Sequence, residues 1–554
     1  MKRTTFIRAL LAGSAFVMSS AALAQDPAPP ADPSAEAQPD ESDATADAAI
    51  QQATDLDDAQ AKIQLLQAQV EALQEAITQV QAAQAKTAPS WKGAPVLEDK
   101  ENGWSFKPKG LLQYDAGFVG YPRGDEHRGT ILGITQNGLQ NTSAGLNYNN
   151  LGWNTRPRRL TLGAEGTVPG GFRYDVEFNF VQNAIDFENV LLAYDVKNTP
   201  LSVQIGYFYP FSSLETMTSS KYTSFAERAG ITDAFSHNRR IGAAIVANDK
   251  VSDKWVAQAG IFSEEMNNAD FNRTGWDFAA RGVFSPTLGT TRLHLGVNFE
   301  HRVNKKEAMG RQYRSRPMTQ LTDQRFIDTG NLASKGDDKI GIEAAAIFKQ
   351  FHVAAEAQKV WVRDALNQGE INAINADLDS NVTPSGAGLL GNPTFWGGYA
   401  EVGFYLTGET RAYKGGTFGR VKVLKPFDKG GWGAIQINGR VDYLDLSDKV
   451  SSTAPNNGNP FANTSGGLTN LVYVNGGKQT AYQLSLIWNP TDYVRFMAQY
   501  SHLNVEGGPR VSVNSVLAPA TSGQLGIYPF GTTKAIVDRE FGSDVFQMRA
   551  QLDF

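Results

Sequence analysis

Charged side chains at alternate positions are the residues of this 554-residue chain whose spacing suggests chemistry. Nine arginines fall on the polar side of a two-residue period: Arg159, Arg173, Arg240, Arg281, Arg292, Arg302, Arg440, Arg495 and Arg549. Nine carboxylates fall on the same side: Asp115, Glu165, Asp175, Glu177, Asp277, Glu300, Glu343, Glu401 and Asp442. Such a set either forms acid–base networks or binds oxyanions, because guanidinium groups offer fixed, charged donors. The alternation leaves both interpretations open.

Motifs of common enzymes are not found in the sequence. The six histidines form no HExxH arrangement, and no GxSxG accompanies them. A chain without cysteine has no disulfide, no thiol nucleophile and no cysteine metal site. The GxG patterns follow predicted turns and lack a following helical pattern, so they do not predict nucleotide binding. We therefore expect no catalytic activity, no cofactor, no metal site and no nucleic-acid partner.

Alternation of apolar and polar residues predicts β-strands from Trp104 onward. At the C-terminus Phe546, Met548, Ala550, Leu552 and Phe554 alternate with polar or charged residues. Successive strand side chains point to opposite faces, so one face of such a strand meets lipid and the other meets water. Similar runs occur at 159–165, 172–180 and 292–300. The terminal phenylalanine also resembles the signal that is read by the outer-membrane assembly machinery.

The connections between these runs alternate in length, and this predicts the topology. Short turns occur at 169–171, 197–200, 286–289 and 489–492, and long ones near 121–154, 208–236, 304–338, 363–392, 447–478 and 504–538. Short periplasmic turns and long external loops are typical of transmembrane β-barrels. With the chain start in the periplasm, the pattern predicts a barrel of sixteen antiparallel strands around an aqueous channel. Segment 408–431 is the exception, and we expect it to be a long inner-side turn folded into the pore.

The first 55 residues predict export. Lys2, Arg3 and Arg8 precede an apolar stretch, and Ala22-Leu23-Ala24 follows it as a cleavage site, so residues 1–24 are interpreted as a signal peptide. An N-terminal membrane anchor is the alternative. Residues 25–55 are rich in Ala, Pro, Asp and Glu, and this composition predicts a disordered linker.

Residues 56–86 carry a seven-residue apolar period. The two sets of apolar positions are Leu56, Ile63, Val70 and Ile77, and Ala59, Leu66, Leu73 and Val80. This seam predicts a periplasmic α-helical coiled coil and therefore an oligomer. A single amphipathic helix packed on another surface is the alternative. A linker over 87–103 would then lead into the barrel over 104–554.

Overall charge does not favour anion transport, since the formal net charge is −6. Residues 1–100 hold 7 Lys and Arg against 14 Asp and Glu, which leaves 44 basic and 43 acidic residues from 101 onward. The predicted barrel is therefore near neutral. Any selectivity must come from the local arrangement of charges around the pore.

Five stretches carry a resemblance to a known family. In chain order they are Arg158-Arg159-Leu160, GYFYPFSSLETMTSSKYTSFAER at 206–228, Arg239-Arg240-Ile241-Gly242, Leu406-Thr407-Gly408-Glu409, and Trp488-Asn489-Pro490 with Tyr493-Val494-Arg495. Over about Trp104 to Phe554 the chain resembles the phosphate-selective porins O and P. The resemblance implies a homotrimer of outer-membrane barrels, surrounded by lipid and lipopolysaccharide, with one pore for small anionic solutes in each subunit.

The resemblance also implies which residues form the pore constriction. External loops of such porins fold inward, and Arg and Lys side chains conduct anions. The positions that match are Arg158, Arg159, Ser219, Ser220, Lys221, Arg228, Arg239 and Arg240. Glu215 and Glu227 in the same loop would neutralise part of this charge. We expect passive diffusion of small anions, including phosphate or polyphosphate; the alternatives are an unselective general porin and an envelope tether that acts through the coiled coil.

Overall fold

The computed structural model describes twelve parts of the chain: residues 60–78, 90–91, 93–120, 123–124, 151–181, 184–263, 275–377, 380, 382–386, 388–448, 474–507 and 540–554. The chain divides into two units, residues 1–86 and 87–554. The predicted signal peptide (1–24) and disordered linker (25–55) lie outside the described residues and stay predictions.

The first unit contains helix α1, which spans residues 60–78. This helix lies within the segment predicted as a coiled coil. The seam residues Ile63, Leu66, Val70, Leu73 and Ile77 are each more than half exposed. The helical conformation of this stretch is confirmed, whereas its pairing into a coiled coil stays a prediction. No helix among the described residues is both long and apolar enough to cross a membrane.

Sixteen antiparallel strands form a closed barrel, as predicted. They are β1 (Trp104–Val119), β2 (Gly152–Val168), β3 (Phe172–Asn179), β4 (Asp186–Asp195), β5 (Leu201–Phe208), β6 (Arg240–Asn248), β7 (Trp255–Ser263), β8 (Trp276–Phe284), β9 (Thr291–Val303), β10 (Ser334–Phe348), β11 (Phe351–Ala365), β12 (Thr394–Tyr405), β13 (Ala434–Asp448), β14 (Val474–Asn489), β15 (Val494–Glu506) and β16 (Glu540–Asp553). Each strand pairs with the next, and β16 closes the barrel on β1, with Phe546 opposite Phe118.

Because of the two-residue period, successive side chains of each strand face alternately the lumen and the outer surface of the barrel. On β11, Val360 and Val362 are buried against the interior, whereas Val353 is about half exposed on the outside. The inward-facing arginines Arg281, Arg302, Arg440, Arg495 and Arg549 are buried in the lumen. Buried charges are paired in stable proteins, and this requirement organises the barrel interior.

Shorter elements complete the second unit. Beyond the barrel strands, the described strands are Ser90–Trp91, Pro95–Asp99, Arg123–Gly124, Thr287–Leu288, Arg311–Ser315, Ile327–Leu332, Tyr413–Lys414 and Thr417–Phe418. The described helices are α2 (Leu214–Met217), α3 (Gly230–Phe235), α4 (Gln368–Ala376) and the 3₁₀ turns Lys306–Ala308 and Phe427–Lys429. Segment 87–103, predicted as a linker, therefore contains two short strands, and Leu97 of the second pairs with Phe106 of β1.

Among the described connections, loop L3 (209–239), loop L5 (304–333) and the inner turn (406–433) fold into the lumen. The ring of Phe235 in L3 contacts the ring of Tyr313 in L5. Tyr313 also packs against Phe395 of β12, with 5.0 Å between the ring centroids. The inner turn reaches L3, where the Phe418 amide donates to Thr218 Oγ1 at 3.3 Å. The prediction that this long turn folds into the pore is confirmed.

Candidate functional site

A polar cavity of about 1240 Å³ occupies the lumen between L3, L5 and strands β1 to β6. All eight residues predicted for the constriction lie on its lining. Twelve basic side chains line it: Lys109, Arg158, Arg159, Lys221, Arg228, Arg239, Arg240, Arg302, Arg311, Arg314, Arg316 and Arg325. The acidic side chains of the lining number seven: Glu165, Asp175, Glu177, Asp186, Glu188, Glu227 and Asp233. The wall of this cavity is therefore positively charged, although the barrel sequence is near neutral.

Loop L3 is held against the barrel wall by Glu215. One carboxylate oxygen accepts from Arg440 of β13 at 2.7 Å. The other accepts from the Ala229 amide at 2.9 Å and the Thr232 hydroxyl at 2.7 Å. The Glu215 amide donates to Glu356 of β11 at 2.6 Å. Glu215 therefore anchors the loop and does not face the cavity as the neutralising charge that the sequence suggested.

Arg158 is fixed by a second buried network. Its guanidinium Nε and Nη2 donate to the two carboxylate oxygens of Glu227 at 2.8 and 3.1 Å. Arg549 of β16 donates to the same carboxylate at 2.6 Å. Arg549 also pairs with Asp115 at 2.6 Å. Burial raises the pKa of Glu227, but the two arginines outweigh this effect and hold its pKa well below the usual range. Glu227 is therefore ionised, and its charge is shared between Arg158 and Arg549.

Arg228 and Arg239 enclose Tyr209. Arg228 donates to main-chain carbonyls at the C-terminal end of α2, including that of Thr218 at 3.1 Å. Arg239 pairs with Glu188, and its guanidinium lies 4.3 Å from the centre of the Tyr209 ring. Burial raises the pKa of Tyr209, but Arg239 and Arg228 together lower it to about 7. Both arginines thus have structural partners and also bring positive charge to the cavity.

Arg240 stands at the start of β6, where L3 ends. Its Nε lies 3.0 Å from Asp277 of β8, and it also contacts His237. His237 in turn accepts from Arg311 of L5 at 3.1 Å. Arg240 therefore links the barrel wall to both inward-folded loops.

Arg159, Lys221 and Arg314 differ from these cations because no described carboxylate forms an ion pair with them. Arg159 donates to the neutral amide of Gln113 at 2.7 Å. Burial lowers the pKa of Lys221, because the ammonium group loses solvation in the lumen. Arg314 is exposed on L5. These three groups carry positive charge that is available to a solute.

Ser219 and Ser220 place hydroxyl groups on the same lining. The Ser219 hydroxyl accepts from the Lys221 amide at 3.4 Å. The carbonyl of Ser220 accepts from the side chain of Gln113 at 3.4 Å, so the loop touches the residue that binds Arg159. Arg159 and the Ser219-Ser220-Lys221 turn are thereby coupled through a single glutamine.

Lys221 also lines a smaller pocket toward the inner turn. Arg411, Arg420 and Arg495 lie on this pocket, together with Asp492 and Asp553. Arg495 donates to the Lys221 carbonyl at 2.7 Å. Lys221 therefore lines both the large cavity and the smaller pocket.

The basic residues of L5 were missed by the sequence analysis. Arg316 and Arg325 approach Asp233 of L3 at 3.8 and 3.0 Å, and Arg311 binds Asp337 at 2.9 Å. A long loop has no two-residue period from which an inward direction can be read. The available signal was the density of arginines within 311–325, which is unusual for a loop that only meets solvent.

Comparison with known proteins identifies the family. Residues 135–509 match the family described as phosphate-selective porin O and P. The chain belongs to this family. A protein of Caulobacter vibrioides with no assigned function is 33% identical over 435 residues, which cover 77% of this chain and 73% of the relative. Porin O of Pseudomonas aeruginosa is 26% identical over 441 residues, which cover 74% of this chain and 85% of the relative.

Solved porins are similar to this chain in fold. The anion-selective porin from Comamonas acidovorans aligns with 81% of this chain and 100% of its own length, at 10% identity and a TM-score of 0.39. OmpT of Vibrio cholerae in its trimer form aligns with 82% of this chain and 100% of its own length, at 10% identity and a TM-score of 0.41. With its family and its closed barrel established, the chain is an outer-membrane porin that forms a channel.

Proposed function

We propose that this porin conducts small anions in preference to cations, with inorganic phosphate among its solutes. The observation that carries the proposal is the lining of the lumen cavity, where twelve basic side chains face seven acidic ones. Rings of Arg and Lys are the usual device of anion and phosphate pores. A low-dielectric barrel wall strengthens their field relative to bulk water.

Paired and unpaired cations have different parts in this mechanism. Arg158, Arg228, Arg239 and Arg240 are held by carboxylates or carbonyls, so they supply a fixed positive background. Arg159, Lys221 and Arg314 have no carboxylate partner among the described residues, and they offer charged donors to a passing anion. Binding at such groups must remain weak, because a solute that is held tightly would not leave the pore.

Phosphate suits this lining better than chloride does. Its several oxygens accept hydrogen bonds from guanidinium, ammonium and hydroxyl groups, which replace the hydration shell. Ser219 and Ser220 bring hydroxyls beside Lys221, which lines both spaces and is the proposed narrowing of the path. We therefore expect phosphate to occupy this narrowing longer than chloride.

Phosphate block of the chloride current tests the phosphate part of the proposal. The full-length protein is reconstituted in a planar bilayer in KCl, and phosphate is added at constant ionic strength. We expect the single-channel chloride current to fall, with half-maximal block shifted to higher phosphate concentration in Lys221→Ala. Nitrate added in the same way is the control. Equal effects of phosphate and nitrate would contradict a phosphate site and leave only a general anion preference.

A homotrimer assembled with the help of the N-terminal helix is the second part of the proposal. The exposed apolar seam of α1 supports it, since an isolated helix with such a seam is stabilised by a partner of the same kind. Chemical cross-linking of the purified full-length protein should give trimers. A purely monomeric product would contradict this assembly.

A further inference from the structure

Lys359 is a cation on the outer, lipid-facing surface of the barrel. Its neighbours along β11, Gln358 and Val360, are buried toward the lumen, whereas Lys359 is exposed. The residues paired with it across the sheet are Ile340 and Trp396. These are 45% and 50% exposed, so the lysine is framed by apolar surface.

No described carboxylate forms an ion pair with Lys359. Its ammonium group lies 5.2 Å from the centre of the Trp361 ring. Asp338, opposite Trp361 on β10, already binds Arg363 at 2.9 Å and His301 at 2.7 Å. The outward-facing patch of Lys359, Trp361, Arg363 and Trp396, here called the outer basic patch, therefore keeps an uncompensated positive charge.

The outer basic patch lies at the boundary of the membrane on the loop side. Phe351, at the start of β11, packs against Phe404 with 4.4 Å between the ring centroids and marks the opposite boundary. Ten residues separate Phe351 from Trp361, which is about 33 Å along a strand. At the usual tilt this corresponds to an apolar band about 25 Å tall. Tryptophan and lysine at such a boundary lie at the level of the lipid headgroups.

We propose that the outer basic patch binds the phosphorylated headgroup of a glycolipid in the loop-side leaflet of the outer membrane. The Lys359 ammonium and the Arg363 guanidinium contact phosphate, and the Trp361 and Trp396 rings pack against sugar and the upper part of the acyl chains. The remaining chain length lies on Ile340 and Ile342, both exposed on the same face. This surface continues the lipid-facing band of the barrel, and its charge is opposite to that of the headgroup.

Native mass spectrometry of the full-length protein in detergent tests the proposal with bis-phosphorylated lipid A as the probe. We expect Lys359→Gln to weaken lipid A binding about fivefold, the effect of one cation near an anionic headgroup, and Lys359→Arg to retain it. Lys349→Gln is the matched control, because this lysine lies 5.3 Å from the Phe348 ring at the opposite boundary. Lipid A binding should be unchanged in this control.

Two results would overturn the proposal. One is equal lipid A binding by the wild-type protein, Lys359→Gln and Lys349→Gln. The other is binding of phosphatidylglycerol or dephosphorylated lipid A as tight as that of the bis-phosphorylated probe. Lys359 lies outside the lumen, so the reversal potential of Lys359→Gln should equal that of the wild type. The lipid site and the pore selectivity are therefore tested independently.

Discussion

At the scale of single residues, Arg159 and Lys221 are separated from the other cations of the pore by what they contact. Arg158 and Arg549 share Glu227, and Arg240 binds Asp277, so much of their charge is compensated. Arg159 donates to the neutral Gln113 and forms no ion pair with a carboxylate of the described residues. A solute therefore meets the strongest field where compensation is absent.

Removing either unpaired cation should reduce the anion preference. We expect Arg159→Ala and Lys221→Ala each to lower the chloride-to-potassium permeability ratio about fivefold, the effect of about 1 kcal/mol from one charge near a solute in watery surroundings. Reversal potentials in planar bilayers measure this ratio. Arg173→Ala is the control, because this arginine pairs with Asp195 and does not line the cavity. Unchanged ratios in both pore variants would contradict the assignment of these residues.

Tyr209 should make the anion preference depend on pH. The phenol is neutral below its pKa of about 7 and becomes a phenolate above it. Because the phenolate adds negative charge beside Arg228 and Arg239, the anion preference should fall as the pH rises from 6 to 8. Tyr209→Phe has no titrating hydroxyl, and its preference should stay constant over this range. An identical pH response in both proteins would show that another group titrates.

The sequence placed the candidate residues on one lining but did not separate paired from unpaired cations. Arg549 reaches Glu227 across 322 positions of the chain, and Arg440 reaches Glu215 across 225. Contacts of such sequence separation follow from barrel closure and loop path, which no local pattern contains. The family resemblance predicted which residues form the constriction, and the structure shows that they line one cavity and which partner each side chain has.

At the scale of elements, loop L3 depends on a charged anchor. Glu215 joins Arg440, Ala229 and Thr232, and Arg440 also pairs with Glu401 at 2.7 Å. The hydrophobic residues Leu214, Phe225 and Ile231 of the same loop are fully buried. The loop is thus a packed part of the barrel interior.

Glu215→Ala should loosen L3 without opening the barrel wall. Of the two described carboxylates that pair with the buried Arg440, it leaves Glu401, and loss of a buried ionic partner costs about 3 kcal/mol. We expect a lower temperature of thermal unfolding and a larger, noisier single-channel conductance. Glu98→Ala removes one partner of an exposed pair with Lys100 and should leave both quantities unchanged. Normal conductance in Glu215→Ala would mean that other contacts suffice to hold the loop.

The sequence predicted the strands more completely than the paths of the connections between them. The alternation in 546–554 and 172–180 arises because a barrel wall separates lipid from water, so β3 and β16 were found from pattern alone. The inner turn was located because its length broke the alternation of short and long connections. L5 was recognised as a long loop, but its inward path depends on contacts such as that of Tyr313 with Phe395 and was not foreseen.

At the scale of the whole molecule, the proposed anion preference depends on where the charges lie and not on the net charge. The formal net charge of −6 and the near-neutral barrel gave no indication of anion transport. Folding brings Arg311, Arg314, Arg316 and Arg325 of L5 to the same cavity as Arg159 and Lys221, and this produces a basic lining. The proposed selectivity therefore depends on the closed barrel with its loops in place.

The reversal potential of the purified full-length protein across a tenfold KCl gradient in a planar bilayer tests the central claim most directly. The basic lining predicts a reversal potential with the sign of the chloride equilibrium potential. This reversal potential should shrink toward zero in the Arg159→Ala/Lys221→Ala double variant. A reversal potential near zero, or one of the sign set by potassium, in the wild-type protein would contradict the account of this porin as an anion-preferring channel.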